Sequence, residues 1–211
     1  CNTEWNLARA QCAACGGKEK LSYGHIEGGD AAARRRLLTT LPWMAVPFAL
    51  QAQGAAPKEL LGEWPSAHLH GQGRLRFLGL QVYDIRLWTT EPGLTAEAWP
   101  RRPLALEIEY ARAFGAKMIA ERSLDEMRRA GPIAADVAER WLRTMLQVFP
   151  NVKAGDRITG LHRPDGLSRF FHNGSPRGEV RDAEFTRRFF GIWLGEATSD
   201  PALRDSLLGR R

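Results

Sequence analysis

Two ten-residue stretches, His68–Phe77 and Leu80–Thr89, are rich in strand formers, with Gly71, Gly73 and Gly79 as candidate bulges or bends. Around Gly79 the apolar face changes register: Leu75 and Phe77 stand at odd positions, Leu80 and Val82 at even ones. A bulge at that glycine is the expected cause. From Leu104 to Tyr110 the alternation is strict, placing Leu104, Leu106, Ile108 and Tyr110 on one face and Glu107 and Glu109 on the other, the pattern of a half-buried strand.

The period then lengthens. Ala116 to Arg129 reads as helix, with Ser123-Leu-Asp-Glu126 as a capping-box pattern that could split it into a turn and a second helix. Ala135 to Phe149 carries Val137, Trp141, Met145 and Val148 on one stripe, and Pro150 stops it. Ile158–His162 and Ser168–His172 flank Pro164-Asp165-Gly166, a hairpin turn, and Asn173-Gly174 turns into a short strand near Glu179-Val180. Asp182 can cap a helix bearing Phe185, Phe189, Ile192 and Trp193 and ending at Gly195, and Ser199-Asp200-Pro201 opens a last short helix closed by Gly209. Strands, helices, a hairpin and more helices make an α+β fold. Its antiparallel sheet must be covered on one face by helices to hide Trp141, Phe189 and Trp193.

The N-terminal quarter reads differently. Residues 1–33 look like an upstream segment outside the mature fold, since the chain opens on Cys1 and has no Met before Met44. Residues 34–54 read as an export signal: Arg34-Arg35-Arg36, then an apolar run from Leu37 to Leu50, then small residues around Ala52-Gln53-Gly54-Ala55-Ala56. That run, broken by Pro42 and Pro47, is too short to span a bilayer. Export by the general or the twin-arginine route would place the mature chain in the periplasm. Residues 55–211 are then the folded domain, with no transmembrane span once the signal is cleaved. All three cysteines, Cys1, Cys12 and Cys15, precede it, so the domain depends on its apolar core rather than on disulfides. The whole chain carries +6, and the domain has 24 basic against 20 acidic residues, too mild an excess to suggest nucleic acid.

The second half resembles the chalcone isomerase-like family, in particular its exported bacterial branch. The likeness is carried by Phe149-Pro150-Asn151-Val152-Lys153-Ala154-Gly155-Asp156, Asn173-Gly174 with Gly178, Glu184-Phe185, Phe190-Gly191-Ile192-Trp193-Leu194-Gly195, Leu203-Arg204 and Leu207-Leu208-Gly209. The resemblance implies an open-faced β-sandwich, a large antiparallel sheet with helices on one side and a ligand cleft between the layers. Members include plant isomerases, fatty-acid-binding relatives and non-catalytic proteins. The plant enzymes use an arginine, a threonine and a tyrosine, with a lysine and an asparagine in the same cleft. Here Leu78 stands where the threonine is expected, Pro65-Ser66-Ala67-His68 offers no arginine, and Ala116–Arg129 holds no Tyr-x-x-Lys followed by Asn. No catalytic role carries over, because one donor of that type is often worth several kcal/mol of transition-state stabilisation.

What remains is a binding chemistry. Arg74 and Arg76 share a strand face, and Tyr110, Arg112 and Lys117 follow one another at the end of the alternating strand. An apolar cleft with an arginine and a tyrosine at one end suits a small amphipathic or carboxylate-bearing ligand, fatty-acid-like in shape. Tyr83 is a further candidate contact, although core packing with a satisfied hydroxyl also suits its apolar neighbours. No cofactor or metal is expected: His68-x-His70 lacks a third ligand, and His162 and His172 do not stand opposite each other across their turn. Glu121 and Asp125 read as a salt-bridged helix face beside Arg122, Arg128 and Arg129. Two alternatives stand: an isomerase or lyase acting through Tyr110, Arg112 or Lys117, and a periplasmic interaction module whose exposed Trp64, Trp88 and Trp99 dock a protein partner.

Overall fold

A computed structural model describes residues 55–209; the expectations for residues 1–33 and 34–54 fall outside that range. Six strands run in sequence order across one antiparallel sheet: β1 (His68–Phe77), β2 (Leu80–Thr89), β3 (Leu104–Tyr110), β4 (Arg157–His162), β5 (Leu167–His172) and β6 (Ser175–Arg181). A short helix α1 (Lys58–Glu63) precedes β1. Helices α2 (Ala116–Arg128) and α3 (Ala135–Val148) join β3 to β4, and α4 (Ala183–Leu194) and α5 (Pro201–Leu207) follow β6. Among the described residues no helix is long and apolar enough to cross a membrane.

The inner face of the sheet is set by alternation. Ile85, Leu87, Leu104, Leu106, Ile108, Ile158 and Phe170 point toward the helices and meet Leu124, Met127, Trp141, Met145, Phe185, Phe189 and Leu207 in one cluster. Aromatic rings fill the layer between. Phe185 stacks on Phe189 at 5.7 Å, and Phe170 meets Phe149 and Phe189 edge-on at 5.4 and 5.3 Å. Asp182 holds two helices at once. One carboxylate oxygen accepts from the Glu184 and Phe185 amides and starts α4, while the other accepts from the Trp141 indole at 2.9 Å and pins α3.

Three local expectations are corrected. Gly79 is not a bulge: Leu78 (φ 50°) and Gly79 (φ 78°) are the two central residues of a tight hairpin turn, and a backbone with two successive positive φ values reverses the chain between β1 and β2. The register shift lies deeper, where Arg76 pairs with Gln81 and Val82 is skipped. Ser123 does not cap a second helix; its hydroxyl donates to the Ile119 carbonyl at 2.8 Å inside an unbroken α2. Nor is β3 half buried. The α1 helix covers the other face of the sheet with a second apolar cluster of Leu60, Trp88, Ala105, Leu161 and Phe171, and Glu107 is only 3% exposed beneath it.

The helix α5 crosses β1 at the sheet edge, and glycine makes that approach feasible. A Cβ on Gly71 would stand 2.1 Å from the Leu207 carbonyl oxygen, and one on Gly73 would meet the Leu203 side chain at 2.3 Å.

Candidate ligand site

At one end of the sheet the inner face runs out from under the helices. Tyr83 and Tyr110 are cross-strand partners there, their rings edge to face at 6.0 Å, and Phe114 tilts onto Tyr110 at 5.9 Å. The Trp193 indole donates to the Tyr83 hydroxyl at 2.8 Å, which ties α4 to the sheet. Burial raises both phenols well above the ordinary tyrosine value, so each is neutral at any physiological pH. Past Leu75 the same face continues into Phe77 and its partner Leu80, 68% and 55% exposed. Met118, in the first turn of α2, is 58% exposed.

A latch positions this end. The Tyr110 amide donates to the Asp156 carbonyl at 2.8 Å, Gly155 donates back to the Tyr110 carbonyl at 2.7 Å, and Phe114 and Val152 exchange backbone bonds at 3.0 and 2.9 Å. Gly115 has no side chain with which to cap α2, so the Asn151 carboxamide accepts from the Ala116 amide at 2.8 Å across the gap. The Asp156 carboxylate accepts from Asn173 at 3.0 Å and from the Lys153 amide at 3.0 Å, and these donors hold it below the usual aspartate range. The Asn173 side-chain oxygen in turn accepts from the Arg157 amide at 2.8 Å.

The six candidate contacts fall into three places. Tyr83 and Tyr110 sit together on the inner face. Arg74 and Arg76 share the outer face, where Arg74 grips Asp84 at 2.5 and 3.1 Å and Arg76 has no ion pair among the described residues. Arg112 and Lys117 are exposed in the connection between β3 and α2 and in its first turn; Lys117 lies 3.8 Å from Glu121, and Arg112 has no ion pair among the described residues. The inter-layer cleft itself is not an open slot beside the tyrosines, because Trp193, Phe114 and the phenylalanine stack occupy the space. A concavity of about 360 Å³ lies elsewhere, where Trp99, Ala130, Gly191 and Leu194 meet Arg187, Arg188 and Arg204. Two of those guanidiniums are occupied by carbonyls: Arg188 donates to Gly131 at 2.9 Å and Arg204 to Leu194 at 3.0 Å.

The other candidates resolve into structure. Trp88 and Trp99 are 2% and 4% exposed and Trp64 is half-buried, so these three indoles form no exposed docking patch. The buried His162 sits edge-on to Trp99 and Phe190, with Nδ1 3.1 Å from the Arg102 carbonyl, and burial lowers its pKa. His162 pairs with Ser168 and His172 with Ile158, which keeps the two imidazoles apart. Asp125 pairs with Arg128 at 3.0 Å and Glu121 with Lys117, a charged helix surface.

The sequence pattern missed a polar cluster on the outer face. Glu107 accepts from the Trp88 indole at 2.9 Å and lies 3.4 Å from Arg86 and 3.3 Å from Arg157; Glu59 of α1 accepts from Thr159 at 2.8 Å. Burial raises the Glu107 pKa against the pull of these donors. Glutamates at alternate strand positions signal a solvated face, and a six-residue helix has too few turns to show a period. No pattern pointed to this network.

A meander sheet with α2 to α5 stacked on one face, and an aromatic layer between, defines an open-faced β-sandwich. The chain belongs to the chalcone isomerase-like family, whose sequence model matches residues 60–209. Among solved structures it is similar to a fatty-acid-binding protein of Arabidopsis thaliana, with a TM-score of 0.52 and 14% identity over 68% of this chain and 87% of that one. No curated protein matches the sequence.

Proposed function

We propose that this protein binds a small amphipathic, carboxylate-bearing ligand of fatty-acid shape without transforming it. The observation that carries this reading is the end of the inner face. There an apolar surface continues from the buried Tyr110 through Tyr83 to the exposed Phe77 and Leu80. Arg112, two residues past Tyr110, is exposed and without an ion pair among the described residues, as is Arg76 on the outer face beside Phe77. An acyl chain replaces water on such a surface, and a guanidinium donates two parallel hydrogen bonds to the carboxylate. The fold of a fatty-acid-binding relative supports the reading.

Entry of the ligand requires the Tyr83–Trp193 contact to part, which couples binding to the movement of α4 against the sheet. The segment at 34–54 supports export to the periplasm, with the carrier working outside the cytoplasm in a bacterium. The test is titration of the full chain with a fluorescent long-chain fatty acid, alongside native mass spectrometry of the purified protein. Saturable binding weakened at least fivefold by Arg112→Ala is expected. Absence of both saturable binding and a co-purified acid would overturn the proposal.

A further inference from the structure

The tip of the β1–β2 hairpin is built at odds with solubility. Its sequence, Phe77-Leu78-Gly79-Leu80, presents three large apolar side chains at 68%, 85% and 55% exposure. Leucine at φ 50° is in a region that favours glycine, asparagine or aspartate, all of them polar or small and common in such turns. A hydrophilic residue at position 78 would relieve the backbone and the exposure together. The leucine contributes to neither, so the tip is shaped for contact with something apolar.

The surrounding charge identifies that contact. From Arg74 to Asp84 the hairpin holds two arginines and a single acid, and the acid is neutralised by Arg74. Arg76 is left without an ion pair among the described residues. Arg112 emerges beside the tip, because the Ala111 amide donates to the Val82 carbonyl at 3.0 Å, two residues from Leu80. It too lacks an ion pair among the described residues. Lys153 is exposed on the loop that latches the end of β3. An apolar tip flanked by Arg76 and Arg112 complements an anionic phospholipid surface, where side chains enter the acyl boundary and guanidiniums remain among the phosphates.

We infer that the β1–β2 tip docks this protein on anionic bilayers, with Phe77, Leu78 and Leu80 inserted and Arg76 and Arg112 at the headgroups. This inference does not depend on which ligand the chain carries. Phe77 and Leu80 also form the outer end of the proposed ligand surface, so a carrier docked through this tip would exchange an amphipathic ligand with the bilayer without releasing it into water.

Vesicle co-sedimentation of the full chain tests the inference, using phosphatidylcholine alone or mixed with phosphatidylglycerol. Binding should need the anionic lipid and fall steeply with salt. Leu78→Asp removes the most exposed apolar side chain at a position whose backbone suits aspartate, so folding is preserved. It should weaken vesicle binding at least tenfold while leaving fatty-acid binding from solution unchanged. Arg76→Glu should weaken it by at least about fivefold, the effect of one basic residue at such a surface. To separate the tip from the apolar run at 37–50, an environment-sensitive fluorophore is placed by Leu78→Cys after replacing Cys1, Cys12 and Cys15 with serine. Its emission should shift to the blue with anionic vesicles. An unshifted probe, or equal binding by the Leu78→Asp chain, would overturn the inference. So would a tip-dependent dimer formed without vesicles, which would assign the surface to a second copy.

Discussion

Raising the pH above about 10 removes a proton from a tyrosine in water, and this perturbation reads directly on the packing around Tyr83 and Tyr110. Both phenols are raised by burial, with the Trp193 hydrogen bond opposing the rise at Tyr83. A group whose folded pKa lies above its unfolded value keeps its proton in the native state while the unfolded chain gives it up. Stability is then full below about pH 10 and falls as pH climbs beyond it. Each retained proton contributes a slope of about 1.4 kcal/mol per pH unit, so the pair contributes about 2.7. Lysine and arginine titrate in the same range, so the informative quantity is a difference between variants. Urea unfolding at a series of pH values should show Tyr83→Phe and Tyr110→Phe each flattening the alkaline slope by about 1.4 kcal/mol per unit. At neutral pH Tyr83→Phe should also cost about 1–3 kcal/mol, because the Trp193 indole N–H loses its acceptor. Phenolate absorbance supplies a second readout. The chain has three tyrosines, Tyr23, Tyr83 and Tyr110, and the last two should ionise only on unfolding. If all three titrate together in the native protein, or neither variant changes the slope, the interior between sheet and helices is wet and the packing argument fails.

Gly71→Ala should destabilise the protein by about 2–4 kcal/mol in urea unfolding, since its Cβ would strike the α5 backbone at Leu207, which cannot yield as a flexible side chain does. Asn151→Ala should cost about 1 kcal/mol by stripping the cap from α2, with the loss visible as faster amide exchange in its first turn. Asp156 has a lowered folded pKa, so its contribution is present above the unfolded value near 4 and disappears as pH falls through the folded one. Asp156→Asn should therefore weaken the protein at neutral pH and flatten its acid-unfolding profile.

Strand and helix positions were legible where periodicity extended over ten residues or more. β1 and β2 have the bounds the pattern predicts, and α3 buries the expected Trp141, Met145 and Val148. The Asp182 and Asp200 caps were equally readable, because a carboxylate before a helical stripe has one common use. What was not legible depends on long-range contact. The Gly79 turn was disguised by a leucine where turn chemistry calls for a polar residue. Glu107 looked solvated because nothing in its own strand announces that α1 lies over it. Ser123 matched a capping pattern, but a serine inside a stable helix can satisfy itself on the preceding turn. Arg74 and Tyr83 are nine residues apart and diagonal neighbours in the ladder, yet they face opposite sides of the sheet. The skipped Val82 sets Leu80 rather than Gln81 opposite Phe77, and a one-residue slip of that kind leaves no mark in composition.

The residues that carry the family resemblance are engaged in geometry rather than chemistry. Asn151 caps α2, Gly155 turns with φ 84°, Asp156 gathers Lys153 and Asn173, and Asn173 with Gly174 makes the β5–β6 turn. Each bond fixes the angle between the end of β3, the start of α2 and the sheet, and so fixes the end of the inner face where Tyr83 and Tyr110 lie. A chain can keep this frame intact while the side chains it positions change completely. That separation explains how one fold carries isomerases beside binding proteins. Here the frame encloses two neutral tyrosines, Tyr83 and Tyr110, and the Trp193 indole bonded to the first.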